Sequence, residues 1–321
     1  MLTRMRRLAL IALMFACGSG NSAPAPAPPA PAAPAHSSDV PSKGNPPMTA
    51  STFNAKSDAD LAVPLLTALG AAEKAKAGTF TVELAAGSYK HLQLESDDLA
   101  IVVEAAGAVT FSESVSIRAR SVELRGITIA NAKPAAAALV IAASEKAQLA
   151  NIALLSAQSS SSTAEGDPLI DLVARKKGAT ATLDRIWIVD SQASTLLRIP
   201  ANGPGRWASV AISGIVFAGN RAKRGLMIAG MDPAGKGVAI DNAFVAETGL
   251  GEALFQLATA RPVKVEHSTL AVKGELSEGD FKPDISTSEL KKAPAKLDAK
   301  AFLDAAKGGA IDRAKLTALL R

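Results

Sequence analysis

Apolar and polar positions alternate along residues 121–131. Val122 and Leu124 flank Glu123, Gly126 interrupts, and Ile127 and Ile129 flank Thr128. Alternation at period two marks a strand with one buried face, and a glycine bends without a Cβ penalty. The stretch therefore predicts two short strands meeting at a corner and facing one core. The same phrase returns five times. Aligned on Leu124, the recurrences centre on Leu149, Leu183, Ile212, Ile240 and Val265, spaced 25 to 34 residues apart. Two positions after each centre the corner holds Gly126, Asn151, Arg185, Gly214, Asn242 and His267. Gly and Asn tolerate a left-handed backbone, so four of these six residues suit a tight bend. A third apolar strand follows most centres, at 139–141, 169–173, 196–199, 226–228 and 254–257. Repetition at this period means a solenoid, propeller or array. Three short strands per turn with no helix between them predict an all-β, parallel β-helix over 57–274. A β-sandwich is the competing architecture, and column identity across six rungs favours the coil.

The flanks read differently. Ser57 with Asp60 three residues later is a carboxylate variant of the capping box. It opens a helix over 61–76 with Leu61, Leu65, Leu66 and Leu69 on one face, ended by Gly78. That helix is expected to cap the first rung, whose core and strand edge would otherwise be bare. After Gly274 the rhythm stops. Residues 275–321 predict two short helices, 298–307 and 312–320, the second with Leu316, Leu319 and Leu320 on one side. They serve as a cap on the last rung, as a lid over the solenoid wall, or as a docking element for another envelope protein.

Residues 80–89, 99–103, 109–111 and 121–131 together resemble the opening rungs of pectate-lyase-like right-handed parallel β-helices. The cadence is nearest the chondroitinase and alginate lyase family. The resemblance implies a right-handed solenoid and, within the enzymes, a Lys and Arg pair, often beside an acidic calcium site. An Asn-rich segment followed by Glu, Lys and Arg on successive rungs is not found, so no catalytic residue carries over. Calcium enters only if the chain is an enzyme, and no other cofactor is implied.

The N-terminus adds a destination. Arg4, Arg6 and Arg7 precede an apolar run over 8–16 that is too short to span a bilayer, so 1–16 reads as a secretory signal peptide. Residues 13–19 resemble the lipobox of bacterial lipoproteins, with Ala16 before Cys17 and Gly18 and Ser19 after it. By that resemblance Cys17, the single cysteine of the chain, becomes the acylated first residue of the mature protein, palmitate among its chains. Gly18 is not the aspartate that favours inner-membrane retention, which points to the outer membrane of a bacterial cell envelope. The rest of 17–56 is rich in Pro and Ala and reads as a semi-rigid spacer.

Formal charge is +5, and loss of the leader removes three of the 35 basic residues, leaving the chain near neutral. The one basic run is 175–177, no nucleic-acid footprint. Among three histidines and one cysteine no nucleophilic triad or metal-ligand spacing assembles. Two outward columns remain. One position after each centre lie Arg125, Ala150, Asp184, Ser213, Asp241 and Glu266. Rungs stand about 4.8 Å apart, so Asp184, Asp241 and Glu266 are the carboxylates to test for catalysis, against the plainer expectation that outward positions are polar. Four positions after lie Thr128, Ala153, Trp187, Val216, Phe244 and Thr269. Trp187, Val216 and Phe244 form an apolar strip that is either roofed by the chain itself or open to a ligand or partner. The function these features favour is a lipid-anchored binding or structural scaffold that contacts polysaccharide or another envelope protein. A polysaccharide lyase or glycoside hydrolase on the same coil is the alternative.

Overall fold

The computed structural model describes residues 50–159, 166–201, 203–247, 249–293, 297–307 and 312–320. The signal peptide, Cys17 and the Pro/Ala-rich tract fall outside these residues. In chain order the strands of the first half are β1 (Ala50–Ala55), β2 (Thr79–Leu84), β3 (Gly87–Tyr89), β4 (Leu92–Glu95), β5 (Ala100–Phe111), β6 (Val115–Ala130), β7 (Leu139–Leu155), β8 (Pro168–Ala174) and β9 (Lys177–Val189). Then follow β10 (Gln192–Ile199), β11 (Arg206–Ala218), β12 (Arg221–Ile228), β13 (Gly237–Asp241), β14 (Phe244–Glu247), β15 (Gly249–Leu257), β16 (Val263–Glu266), β17 (Thr269–Val272), β18 (Glu275–Glu278) and β19 (Glu289–Lys292). The helices are α1 (Val63–Lys74), α2 (Ala299–Lys307) and α3 (Arg313–Ala318).

Every pairing among these strands is parallel, and each strand pairs with its equivalent one turn away. The chain is a parallel β-helix. Leu124 pairs with Leu149, Leu149 with Leu183, Leu183 with Ile212, Ile212 with Ile240 and Ile240 with Val265. The ladder runs further back, through Val103 and Val82 to Phe53. A second ladder stacks Phe111, Ile129, Leu154, Ile188, Phe217, Val245 and Leu270. On the third wall Leu139, Ile170, Leu197, Leu226 and Phe255 stand in register. All three ladders converge on one buried core. Area removed from water, at about 25 cal/mol per Å² of apolar surface, is what holds a coil without disulfides together.

All six corner residues are left-handed, with φ of 76° at Gly126, 56° at Asn151, 54° at Arg185, 68° at Gly214, 53° at Asn242 and 45° at His267. Arg185 and His267 adopt a backbone that costs an ordinary L-residue about 1–2 kcal/mol. The rungs above and below impose it, because the parallel ladder continues on both sides of the bend. A second corner column, Asn131, Ser156, Asp190 and Gly219, is left-handed as well.

Three features depart from the sequence reading. The solenoid begins earlier than residue 57: β1 lies within the stretch read as spacer and pairs with β2 through six residues. The N-terminal helix is split into a short 3-10 turn, Asp58–Leu61, and α1. Its buried face is Leu65, Leu69 and Ala72, while Leu66 is exposed. The series Leu61, Leu65 and Leu69 is buried as expected, and only Leu66, one position on, turns to solvent. Asp60 does reach back as expected, accepting from the main-chain N–H groups of Lys56 and Ser57 at 2.7 and 2.9 Å.

Candidate functional site: a cationic groove above a buried polar corner

The predicted carboxylate column exists. Asp184, Ser213, Asp241 and Glu266 occupy one register position on four successive rungs. The first two acids are engaged locally and exposed. Asp184 accepts from Arg185 Nε at 2.8 Å, and Asp241 lies 2.8 Å from His267 Nδ1. Arg185 thus turns back onto the acid beside it, and His267 onto the acid of the preceding rung. Asp241 and Glu266 stand on adjacent rungs, whereas Asp184 is separated from them by Ser213. Among the described residues no three potential metal ligands gather.

The strip of Trp187, Val216 and Phe244 is not open. It runs up one outer wall and is filled by Phe302 of α2 and Leu316 of α3, with Leu303, Leu319 and Leu320 packed around them. The Phe244 and Phe302 rings lie 5.9 Å apart at 33°. Trp187 is only 2% exposed, and its Nε1–H finds no acceptor among the described residues. Of the two alternatives for this strip, a roof from the chain itself or a surface open to a ligand or partner, the structure has the roof: apolar side chains on an outer wall gain more from the chain's own amphipathic helices than from water, and those helices lie over it.

A groove open to solvent lies on the third wall. Gln192, Arg221 and Gly249 begin β10, β12 and β15 in mutual register. With Ser159, Ser194, Lys223 and Gly251 they line a groove of about 360 Å³. Arg221 and Lys223 point outward on either side of the inward Ala222, which separates their positions by about 6.6 Å along the strand. Neither makes an ion pair with a described residue. Their neighbours do: Arg198 grips Asp171 through two bonds of 3.1 and 2.8 Å, and Arg224 contacts Glu252 and Glu278. A register shift between β12 and β15 at Ala222 and Arg224 inserts one extra residue opposite Lys223. Such bulges re-aim side chains, and this one carries Gly251, where an added Cβ would touch nothing closer than 3.8 Å. The groove is roomy there because the rung above carries no side chain. The hydroxyls of Ser159 and Ser194 both donate to the Asp167 carbonyl, at 2.7 and 3.0 Å, so their oxygens can accept from a ligand hydroxyl.

Directly behind the groove a polar thread runs through the corner. Ser191 Oγ accepts from Ala157 N–H at 3.1 Å, and Asn220 Oδ1 accepts from Ser191 N–H at 2.9 Å. Asn220 Nδ2 donates to the Ile188 carbonyl at 2.9 Å and to Glu247 Oε1 at 2.6 Å, while its main-chain N–H donates to Glu247 Oε2 at 2.9 Å. Glu247 is wholly buried. Burial raises its carboxyl from 4.5 to about 8, the Asn220 bonds pulling the other way. Sequence reasoning passed over both features. The groove was recoverable: the spacing between Leu183 and Ile212, and then Ile212 and Ile240, carries Gln192 onto Arg221 and Arg221 onto Gly249. Glu247 stands two residues after the inward Val245, so alternation points it inward as well, but only the fold shows that Asn220 meets it there.

No family model matches this chain, nor does any curated protein or solved structure. The fold and groove define a parallel β-helix protein with a cationic cleft on one wall. No helix among the described residues is long and apolar enough to cross a membrane.

Proposed function

We propose that this protein is a lipid-anchored component of a bacterial cell envelope, held at the outer membrane through Cys17, whose β-helix is a binding scaffold for acidic polysaccharide. The observation that carries the reading is the pair of cations, Arg221 and Lys223, which make no ion pair among the described residues, at the mouth of a groove rimmed by Gln192, Ser159 and Ser194. Two cations on one strand suit carboxylates repeated along a polymer, and the amide and hydroxyls suit its sugar hydroxyls. The pectate-lyase-like cadence of 59–131 and the lipobox-like segment support the same picture. Polygalacturonate is a fitting probe and neutral dextran the control. Replacing Arg221 and Lys223 together by Ala is expected to weaken polygalacturonate binding roughly tenfold or more and to flatten its salt dependence; unchanged affinity would remove the groove from consideration. Cys17→Ala is expected to move the protein from the membrane fraction to the soluble fraction, and a variant that stays with membranes would refute the anchor.

The second reading, a polysaccharide lyase or glycoside hydrolase, draws on Asp241 and Glu266 standing on neighbouring rungs. Paired carboxylates are the currency of glycoside hydrolysis, and calcium would belong to the lyase version. Appearance of unsaturated or reducing ends, lost in Asp241→Ala, would promote it over the scaffold.

A further inference from the structure

We infer that one corner of the coil is a second membrane contact, a ridge of cations that lays the β-helix along a surface of phosphate-bearing lipid headgroups. The inference rests on the reading of Cys17 as a lipid anchor, and it adds a salt-sensitive contact that acyl chains do not supply.

The ridge stands where the chain turns from the third wall into the first. The basic run 175–177 is one turn of it, and the turns on either side carry Lys146, Arg206, Lys236 and Arg261. Stacking puts them in line. Lys146 is in register with Thr180, three residues past Lys177, and Lys177 with Arg206. The Arg206 N–H donates to the Lys176 carbonyl at 3.3 Å, and the Lys236 N–H to the Ala208 carbonyl at 2.7 Å. On the next turn the carbonyl of Pro262, beside Arg261, accepts from the Val238 N–H at 3.0 Å. Rungs about 4.8 Å apart spread these five turns over about 19 Å.

Few acids answer the ridge. Lys146, Lys176, Lys236 and Arg261 make no ion pair among the described residues. Lys177 lies 3.7 Å from Asp232. The Arg206 guanidinium is held at the corner by the Gly203 and Gly205 carbonyls, at 2.9 and 2.7 Å. Glu145 is taken up by Arg120, and Arg175 by Asp97. Asp98 and Asp280 stand beyond the two ends of the row.

The segment that follows Cys17 enters the coil at this same corner. Ala50, the first residue of β1, leads a register column through Thr79, Ala100 and Ser121 to Lys146. Entry point and ridge therefore share one line parallel to the coil axis, and a membrane against that line meets both. A straight row of cations on a projecting corner suits a plane of headgroup phosphates. The rest of the surface stays clear of it: the groove opens at the far edge of the third wall, and the helical roof lies on the second.

The full chain carrying Cys17→Ala, which has no thiol to acylate, is sedimented with vesicles of phosphatidylglycerol and phosphatidylcholine in equal parts, beside vesicles of phosphatidylcholine alone. Binding is expected to the anionic vesicles only, with release at about 1 M salt, where screening acts within about 3 Å. Lys176→Ala with Lys236→Ala is expected to weaken it about tenfold or more, since each cation at an anionic surface is worth roughly fivefold. Lys90→Ala with Lys133→Ala removes two exposed lysines beside the corner between the second and third walls and is expected to leave binding unchanged. No binding to anionic vesicles, an unaffected ridge variant, or equal loss in both double variants overturns the inference. So does a ridge variant that keeps the vesicles and loses polygalacturonate, which gives the cations to a polymer. Salt separates this contact from the anchor in cells: Cys17→Ala retained on membranes in about 1 M salt counts against acylation, whereas retention that salt reverses belongs to the ridge. The vesicle measurement, made without an acyl chain, judges the ridge alone.

Discussion

Phe302→Ala will undock the C-terminal helices. The ring is wholly buried against Phe244 and is the largest side chain that α2 contributes to the second apolar cluster. Truncating a buried Phe to Ala costs about 3–5 kcal/mol. Helices as short as α2 and α3 have little stability of their own, so that loss exceeds what the remaining Leu316, Leu319 and Leu320 contacts can offset. The solenoid itself does not depend on them, because its ladders close on a separate core. The expected signature is therefore local: the emission of Trp187 shifts to the red as its indole meets water, the β-sheet circular dichroism stays, and a dye for exposed apolar surface binds. Trp207 sits in the main core and hydrogen-bonds the Leu172 carbonyl at 3.1 Å, so a Trp207→Phe background isolates the Trp187 signal. Emission unchanged in Phe302→Ala would mean the lid is held by something other than this aromatic plug. The Nε1–H of Trp187, without an acceptor among the described residues, works in the same direction, since an unsatisfied buried donor costs about 1–3 kcal/mol and is relieved when the lid leaves.

The fold will lose stability as pH rises from about 4.5 to about 8, and Glu247→Gln will remove most of that loss. In the unfolded chain the Glu247 carboxyl ionises near its ordinary value, whereas burial in the folded chain delays ionisation to about 8. Between those limits the folded state binds the extra proton, so the stabilisation is complete below the lower value and is lost on rising through the upper one. At a little over 1 kcal/mol per unit the effect is on the order of a few kcal/mol, a large share of a domain's net stability. Other shifted groups act elsewhere. The Asp60 and Asp284 carboxyls are held below their usual range by main-chain N–H donors, so they respond only to stronger acid, and the Tyr89 hydroxyl is pushed upward by its burial. Urea midpoints measured across this window, wild type beside Glu247→Gln, decide the matter; parallel curves for the two proteins would show that the buried carboxyl is not the titrating group.

Much of the architecture was written in the order of residues. The ladder from Leu124 to Val265 stands in the register that simple counting assigned, because a one-residue slip in a coil with a single buried face turns every aliphatic side chain outward. Alternation also identified which positions leave the core, and both outward columns stand where it put them. Counting placed corners at Arg185 and His267 as well, but residue preference gave no sign of the left-handed backbone found there, which the rungs on either side impose. It also stopped short of β1, whose only apolar residue of any size is Phe53.

By itself, then, the succession of apolar and polar residues determined the coil, its register and the list of side chains that face away from the core, because those follow from a period of two and a repeat of 25 to 34 residues. What the outward side chains meet was decided in three dimensions. Trp187, Val216 and Phe244 are roofed by residues more than fifty positions later in the chain, Asp241 is engaged by the corner histidine of the next rung, Arg221 and Lys223 find no ion-pair partner among the described residues beside paired neighbours, and Glu247 is taken up by Asn220 in the corner. Local pattern encodes direction from the core; partnership depends on which distant segments the coil brings alongside, and on whether a given site leaves a charge in water or takes it out.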